Sequence, residues 1–435
     1  MISILLVGYF TLVFIISVRT INLNQSLRDN ALEIKSFNSH SNHQGRFFPL
    51  FSVVRFANSE CLSSIDQLNG TCFTRRECMN FGGNPSGSCA NRLGTCCIFQ
   101  KSCGSTTNMN NTYFVSPRYP ITYRGGERCS ITVQRCNPNI CQVTSTLCVS
   151  KLQPLNVSCL QLRLDFLEAT WAQPNATGFC DLDVFLVSGG SSTVPRICGE
   201  NTNQHVYVDF NGATPITISV DTNADFAFDR RWNIRIQQIA CDSVCRAPNG
   251  CLQYYNTLSG TVMSFNFGTT ENVRGTCQSN VTVNSSYLDH SFETINERSK
   301  LRVVSAPQIG TRQMVNHRYG VCVRMALGYC TIEWSEVDNL SFSVSGDTGS
   351  FDPNIIGTPL VAESGASCTT DFVIIPDPQE NGVFDNTDRF CGNGFITKTS
   401  DLKPFVLYVV TNGDEMQEAQ NKGFALSFRQ LPCAV

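Results

Sequence analysis

Five short segments of this chain alternate apolar and polar residues with a period of two. They are Leu162-Arg163-Leu164-Asp165-Phe166, Val206-Tyr207-Val208-Asp209-Phe210, Ile216-Thr217-Ile218-Ser219-Val220, Trp232-Asn233-Ile234-Arg235-Ile236 and Phe424-Ala425-Leu426-Ser427-Phe428. Successive side chains of a strand point to opposite faces, so each segment reads as a strand with one face buried. Turn residues break the chain often from Cys103 onward, and no convincing amphipathic helix appears. Many short strands at close spacing predict a sandwich.

The pattern also echoes itself. Cys180-Asp181-Leu182-Asp183-Val184-Phe185-Leu186 resembles Cys368-Thr369-Thr370-Asp371-Phe372-Val373-Ile374. Ile197-Cys198-Gly199 resembles Phe390-Cys391-Gly392, and Trp232 to Cys241 resembles Phe424 to Cys433. The three offsets are nearly equal, so one β unit is expected to occur twice.

Cysteine changes this picture from any β protein to a crosslinked one. All 23 cysteines lie at or after Cys61, a density that fits the oxidising secretory route. Six of them, Cys61, Cys72, Cys78, Cys89, Cys96 and Cys97, crowd into residues 61–97. A segment this short cannot bury a real core, so crosslinks must hold it. It has no Cys-x-x-Cys pair and no histidine, so three disulfides are expected rather than zinc. Their pairing stays open among fifteen possibilities. The apolar run Ile2 to Ile16 predicts a signal peptide over residues 1–20, with a retained anchor as the alternative. A linker with the apolar patch Phe47 to Phe56 follows over residues 21–60. Sequons at Asn24, Asn69, Asn110, Asn156, Asn175, Asn280, Asn284 and Asn339 agree with secretion; Asn24, Asn69, Asn110, Asn175 and Asn339 are the expected glycan sites. Only 15% of residues are charged and the net charge is −3, with no basic stripe, which argues against nucleic acid.

These residues resemble a known family. Cys103-Gly104, Tyr119-Pro120, Tyr123, Cys129-Ser130-Ile131, Phe166-Leu167-Glu168, Cys180-x-x-Asp183, Cys198-Gly199 and the strand at Trp232 look like a CUB domain, a jelly-roll-like sandwich, over residues 103–241. A more divergent copy over residues 251–433 carries Gly250-Cys251-Leu252, His317 to Arg324, Asp388-Arg389-Phe390-Cys391-Gly392 and Pro404-Phe405-Val406-Leu407. The six-cysteine segment, with its terminal Cys-Cys, resembles the clip domains of arthropod proteases. Together these features resemble an arthropod family of secreted CUB-domain proteins. The expected architecture is all-β: two CUB-like jelly-roll sandwiches preceded by a small disulfide knot. The resemblance implies Cys103–Cys129, Cys180–Cys198 and Cys368–Cys391 pairs, with Cys322–Cys330 as a local bridge. It also implies Ca²⁺ held by Glu168, Asp183 and Asp221, since hard oxygen ligands suit that ion. The second copy keeps Asp371 and shows no clear partners for it.

Catalytic patterns are scarce. Asp347-Thr348-Gly349-Ser350 matches half of an aspartic-protease site, yet such a site needs two carboxylates and no second motif occurs. No His-Glu-x-x-His or Gly-x-Ser-x-Gly accompanies the five histidines. The expected function is therefore a secreted, non-enzymatic recognition module for an extracellular protein or glycan, acting through loops at one sandwich end. A matrix or cuticle role, or a non-catalytic role in an extracellular protease or immune cascade, stand as rivals.

Two stretches interrupt the family-like lines. Residues 143–161 separate Cys141-Gln142 from Leu162, and residues 275–309 separate Arg274 from Gly310-Thr311. Both have the coding form of unspliced introns, with real surface loops as the alternative. They hold Cys148, Cys159 and Cys277, and 23 − 3 = 20 restores an even cysteine count. Transcript sequencing across both junctions is expected to show gaps there; continuous reads would reject the intron reading.

Overall fold

The computed structural model describes residues 58–136, 160–224, 228–240, 243–268, 272–274, 308–416, 418 and 420–433. The expected signal peptide, most of the linker, Asn24 and the interiors of both suspected inserts lie outside the described residues. The chain divides into two compact units at Cys97/Ile98.

The first unit is a small crosslinked knot. Strand Glu60–Leu62 pairs antiparallel with Asn69–Phe73, which pairs in turn with the chain at Thr95 to Cys97. A short helix, Arg75–Asn80, is capped by Thr74. The Thr74 hydroxyl accepts from the Glu77 amide at 3.2 Å while the Glu77 carboxylate accepts from the Thr74 amide at 3.1 Å, which satisfies two otherwise orphaned helix donors. The bonds are Cys61–Cys96, Cys72–Cys89 and Cys78–Cys97. Cys72, Cys78, Cys96 and Cys97 are fully buried, so sulfur supplies much of a core that few apolar side chains could fill.

The second unit holds both sandwiches. In the first, one sheet runs Thr112–Val115, Arg231–Ala240, Leu160–Thr170, His205–Asp209. The facing sheet runs Ser105–Thr107, Arg128–Val133, Ile216–Thr222, Asp183–Ser188. The alternating residues Leu162, Leu164, Phe166, Val206, Val208, Ile216, Ile218, Val220, Trp232, Ile234 and Ile236 all point into the core. Each such side chain contributes about 1.5–3 kcal/mol by leaving water.

The second sandwich repeats the scheme with more strands. One sheet orders Cys251–Tyr255, Arg318–Val323, Phe405–Val410, Phe372–Ile374, Arg389–Gly392, Ala362–Ser364. The other orders Ser259–Met263, Gly423–Pro432, Tyr329–Glu336, Lys398–Ser400, Pro378–Glu380, Val383–Phe384. Trp334, Phe342, Phe405, Phe424 and Phe428 fill its interior.

Cys103–Cys129, Cys180–Cys198 and Cys368–Cys391 are bonded pairs. The local Cys322–Cys330 bridge does not form. Cys322 bonds Cys251 and Cys330 bonds Cys433. The reason lies in the sheets: Cys251–Tyr255 runs parallel beside Arg318–Val323, and Tyr329–Glu336 lies against the final strand, so each cysteine meets a partner distant in sequence. Asn110 also departs from expectation. Its side chain is buried and its Oδ1 accepts from the Gln238 amide at 2.7 Å, so a glycan there is incompatible with this fold, whereas Asn339 is exposed and Asn69 and Asn175 are half-buried. Gln161, assigned to the first suspected insert, sits in strand Leu160–Thr170 and bonds Asp209 and Ala247. Gln308 and Ile309, at the end of the second, pair with Arg274 and Val273.

The two sandwiches are docked by buried groups. Asn266 is the hub: its Oδ1 accepts from the Glu200 amide at 2.9 Å, its amide donates to Asn201 Oδ1 at 2.8 Å, and its Nδ2 donates to Gln173 and to the Arg312 carbonyl. Gln204 Nε2 donates to the Ser264 carbonyl at 2.9 Å. The Met314 sulfur packs 3.5 Å from Cys180 Sγ. Two histidines reach across in opposite directions. His205 Nε2 lies 3.1 Å from the backbone of Tyr254, and His317 Nε2 lies 2.9 Å from the Arg196 carbonyl. Burial holds His205 down to about 3, helped by the nearby Arg163 charge, and holds His317 down to about 4. Both stay neutral in the fold below the usual value near 6.5 at which the unfolded chain protonates. Their contribution is therefore complete above pH 6.5 and is lost as pH falls toward 4. On going from pH 6.5 to 4, the wild type is expected to lose about 1.4 kcal/mol per pH unit more than His317→Gln in urea unfolding. Parallel curves for the two proteins would contradict the burial argument.

Candidate functional site

Asp183 opens the strand Asp183–Ser188 and its side chain is fully buried. Arg230 meets it with two hydrogen bonds, Nε to Oδ2 at 2.7 Å and Nη2 to Oδ1 at 2.9 Å. The Ala172 amide adds a bond at 2.8 Å. Arg230 is also spent on the carbonyls of Phe228 and Asn223, both at 3.1 Å. Gly125 lies over the guanidinium: a Cβ there would come within 2.6 Å of Arg230 Nη1, and its φ of +90° is one that glycine adopts freely. Glu168 accepts from the Tyr119 hydroxyl at 2.9 Å and pairs with Arg231 at 2.5 Å. Asp221 pairs with Arg128 at 3.3 Å.

Each of the three expected calcium ligands thus has its own arginine, and the three do not gather around a common point. A guanidinium occupies the position a cation needs beside Asp183. Glu168, Asp183 and Asp221 therefore do not fit Ca²⁺ in this arrangement, which corrects the reading from sequence. The family-like spacing was visible in the sequence; the capture of Asp183 by Arg230 depends on two strands meeting and was not.

The second sandwich answers the same position differently. Asp371 precedes its strand as Asp183 opens its own, and it is fully buried. Strand Phe372–Ile374 pairs with Phe405–Val410, which carries the following loop over Asp371. The Asn412 amide donates to Asp371 Oδ1 at 2.6 Å. From that loop come Glu415, with no exposed surface, and Glu418, 8% exposed. Among the described residues, Asp371, Glu415 and Glu418 are the one group of three such side chains whose ligand atoms lie within 4.8 Å of one another. Gln313 Nε2 stands among them, 2.7 Å from Asp371 Oδ2, 2.7 Å from the Val344 carbonyl and 3.3 Å from Glu415 Oε1. Glu418 Oε1 accepts from the Thr370 hydroxyl at 2.6 Å and the Gly346 amide at 3.2 Å. Glu415 Oε2 and Glu418 Oε2 are buried without a hydrogen-bond partner. Burial pushes the Asp371 and Glu415 carboxyls up; the Glu418 charge raises Asp371 further, and the Asp371 and Glu418 charges raise Glu415. Glu415 and Glu418 were missed in sequence. The available signal was their place in the loop after strand Phe405–Val410, just as Asp221 stands at the end of Ile216–Thr222.

A polar cleft of about 590 Å³ opens beside the junction, lined by Ser192, Asp209, Arg246, Leu252, Arg318 and Tyr319 among others. Arg246 bonds Asp209 and Asn249 at 3.3 Å, and Arg318 is exposed at the cleft.

Asp347, from the protease-like motif, is a cap. Its Oδ1 accepts from the Gly349 amide at 3.1 Å, and Thr348 Oγ1 donates within a buried pair of asparagines, Asn393 and Asn421.

Residues 248–431 match the family model described as the animal CUB domain. No curated protein matches the chain. Among solved structures, the chain is similar to the MASP-1 CUB2 domain bound to Ca²⁺, at 16% identity over 31% of this chain and 98% of that one, TM-score 0.22. It is similar to the CUB1-EGF-CUB2 domains of rat MASP-1, at 10% identity over 75% of this chain and 99% of that one, TM-score 0.22. It is also similar to the full extracellular region of zebrafish Gpr126/Adgrg6, at 13% identity over 77% and 37%, TM-score 0.22.

Removing one member of the Asp183–Arg230 pair leaves a buried charge uncompensated, which costs about 3–5 kcal/mol. Asp183→Ala and Arg230→Ala are each expected to lose that much in urea unfolding. A loss under about 1 kcal/mol for either would show that the pair is not what holds this end of the sandwich.

Proposed function

We propose that this protein is a secreted, non-catalytic recognition module that binds an extracellular protein or glycan through surfaces of its two docked sandwiches. The observation that carries the reading is the junction itself. Sandwich surfaces that would face solvent in isolated domains are buried against each other through Asn266, Gln204, His205 and His317. Two crosslinked scaffolds held this way present their loops as one fixed surface, and a rigid surface loses little freedom on binding. The animal CUB match over residues 248–431 and the dense disulfides agree with an extracellular setting. Among the described residues, no helix is long and apolar enough to cross a membrane.

A non-catalytic role is supported by how the reactive side chains are used. His205 and His317 are spent on backbone groups across the junction, and the Asp347 motif caps a turn. The cleft lined by Arg246 and Arg318 is the surface we assign to the partner, with an acidic side chain or anionic sugar suited to its guanidinium groups.

The test is binding of the full chain to arrays of extracellular proteins and glycans, read as saturable affinity. Arg318→Ala is expected to weaken the bound ligand about tenfold or more while leaving thermal unfolding unchanged. Background-level binding throughout, or affinity indifferent to Arg318, would reject the assignment.

A further inference from the structure

We infer that three adjacent loops at one end of the second sandwich form a docking tip that inserts Leu327 and its apolar neighbours into a bilayer bearing anionic phospholipid. Leu327 is 97% exposed, and Leu258, Met325 and Leu402 are each close to half exposed. Single exposed apolar residues are ordinary, but four on neighbouring loops mark a surface that is covered in use. Arg324 and Lys403 stand among them and are exposed. Among the described residues, neither forms an ion pair with a carboxylate. The nearby acid is already engaged: Asp401 accepts from the Thr331 hydroxyl and from Gln379 Nε2 at 3.2 Å. Arg429, opposite Ser259 in the sheet, is matched by Glu333 at 2.8 Å. The tip is therefore apolar with a positive rim.

The fold assembles this tip and holds it. Leu327 is the corner of a turn in which the Tyr329 amide donates to the Ala326 carbonyl at 3.2 Å and Gly328 takes a φ of +82°. The Cys433 amide donates to the Gly328 carbonyl at 2.9 Å, beside the Cys330–Cys433 bond. Gln430, buried beneath, joins two of the loops. Its Nε2 donates to the Thr257 and Arg324 carbonyls, both at 2.9 Å, and its Oε1 accepts from the Ala326 amide at 2.9 Å. Val323 pairs with Phe405, which brings the third loop, with Leu402 and Lys403, alongside Arg324. A turn braced in this way presents Leu327 with little freedom left to lose on binding. A side chain this exposed projects beyond its neighbours, which suits fluid hydrocarbon that closes around any protrusion. The guanidinium and ammonium groups behind it then meet headgroup phosphates. The tip lies at the Val323 end of strand Arg318–Val323 and the cleft at its Arg318 end, so docking leaves the cleft open to its partner.

The experiment sediments the full chain with vesicles of phosphatidylcholine and phosphatidylserine, and in parallel with vesicles of phosphatidylcholine alone. Expected is saturable binding to the anionic vesicles that is weaker on the neutral ones and falls as salt is added. Leu327→Asp should lower vesicle affinity at least about tenfold with thermal unfolding unchanged, since this side chain touches little of the fold. Arg324→Gln and Lys403→Gln should each lower it about fivefold. Leu327→Trp adds a depth readout: the emission of the introduced indole should shift to the blue and be quenched by brominated acyl chains. No binding to the anionic vesicles would overturn the tip. Binding that survives Leu327→Asp, or indole emission untouched by brominated chains, would overturn insertion and leave charge attraction alone. Equal binding to both kinds of vesicle would overturn the part assigned to Arg324 and Lys403. Capture of an extracellular protein through Leu327, by a chain indifferent to vesicles, would overturn the membrane in favour of a protein partner.

Discussion

Buried polar groups need partners, and the geometry of the second unit follows from that need. The sheet containing Leu160–Thr170 and His205–Asp209 turns one face to the core, but its other face is not left to water. Arg163 on that face bonds Asp165 at 2.7 Å and the Tyr207 hydroxyl at 2.8 Å, and Asp165 is bonded again by Arg235. Tyr207 packs in one apolar cluster with Ile239, Tyr254 and Val406, so the second sandwich covers what the first alone would expose. An unsatisfied donor or acceptor there would cost about 1–3 kcal/mol. Asn266, Gln204 and His205 find their partners only in one relative placement of the sandwiches. The docking is thus specified by polar matching as much as by apolar area.

The two copies solve the same electrostatic problem in two ways. An aspartate at the start of the inner strand is buried in each. In the first copy Arg230 neutralises it, and the arginine's remaining donors are absorbed by carbonyls of the surrounding loops. In the second copy more acid is added rather than a base. The difference replaces a closed internal ion pair with a buried group of three carboxylates among which Gln313 donates. Gly178 of the first sandwich lies over this group, where a Cβ would come within 2.6 Å of Glu415 Cγ.

The knot, with its own three crosslinks, is stabilised by another means. A disulfide acts largely by restricting the unfolded chain, so it works where apolar burial is meagre. The sandwiches have both devices, and their bonds close the ends of strands already held by cores built on Trp232 and Trp334. Such a scaffold tolerates exchange of loop residues without loss of fold, which is the physical basis for using it in recognition.

Period-two alternation, the duplicated Cys-x-x-Asp unit and the clustering of cysteines are local properties, and from them the sequence alone determined an all-β, crosslinked chain with two related sandwiches. Leu162 to Phe166 had to be a strand because only a strand puts its three apolar residues together. Contacts between distant segments carry no such local mark. Cys251 meets Cys322 because two strands run parallel; Arg230 reaches Asp183 because a loop brings it back over the sandwich end. Glu415 joins Asp371 because strand Phe405–Val410 pairs with Phe372–Ile374. Which carboxylates pair with an arginine and which are gathered beside one another was therefore decided by tertiary structure, since a side chain's charge balance depends on what folding places within a few ångströms of it.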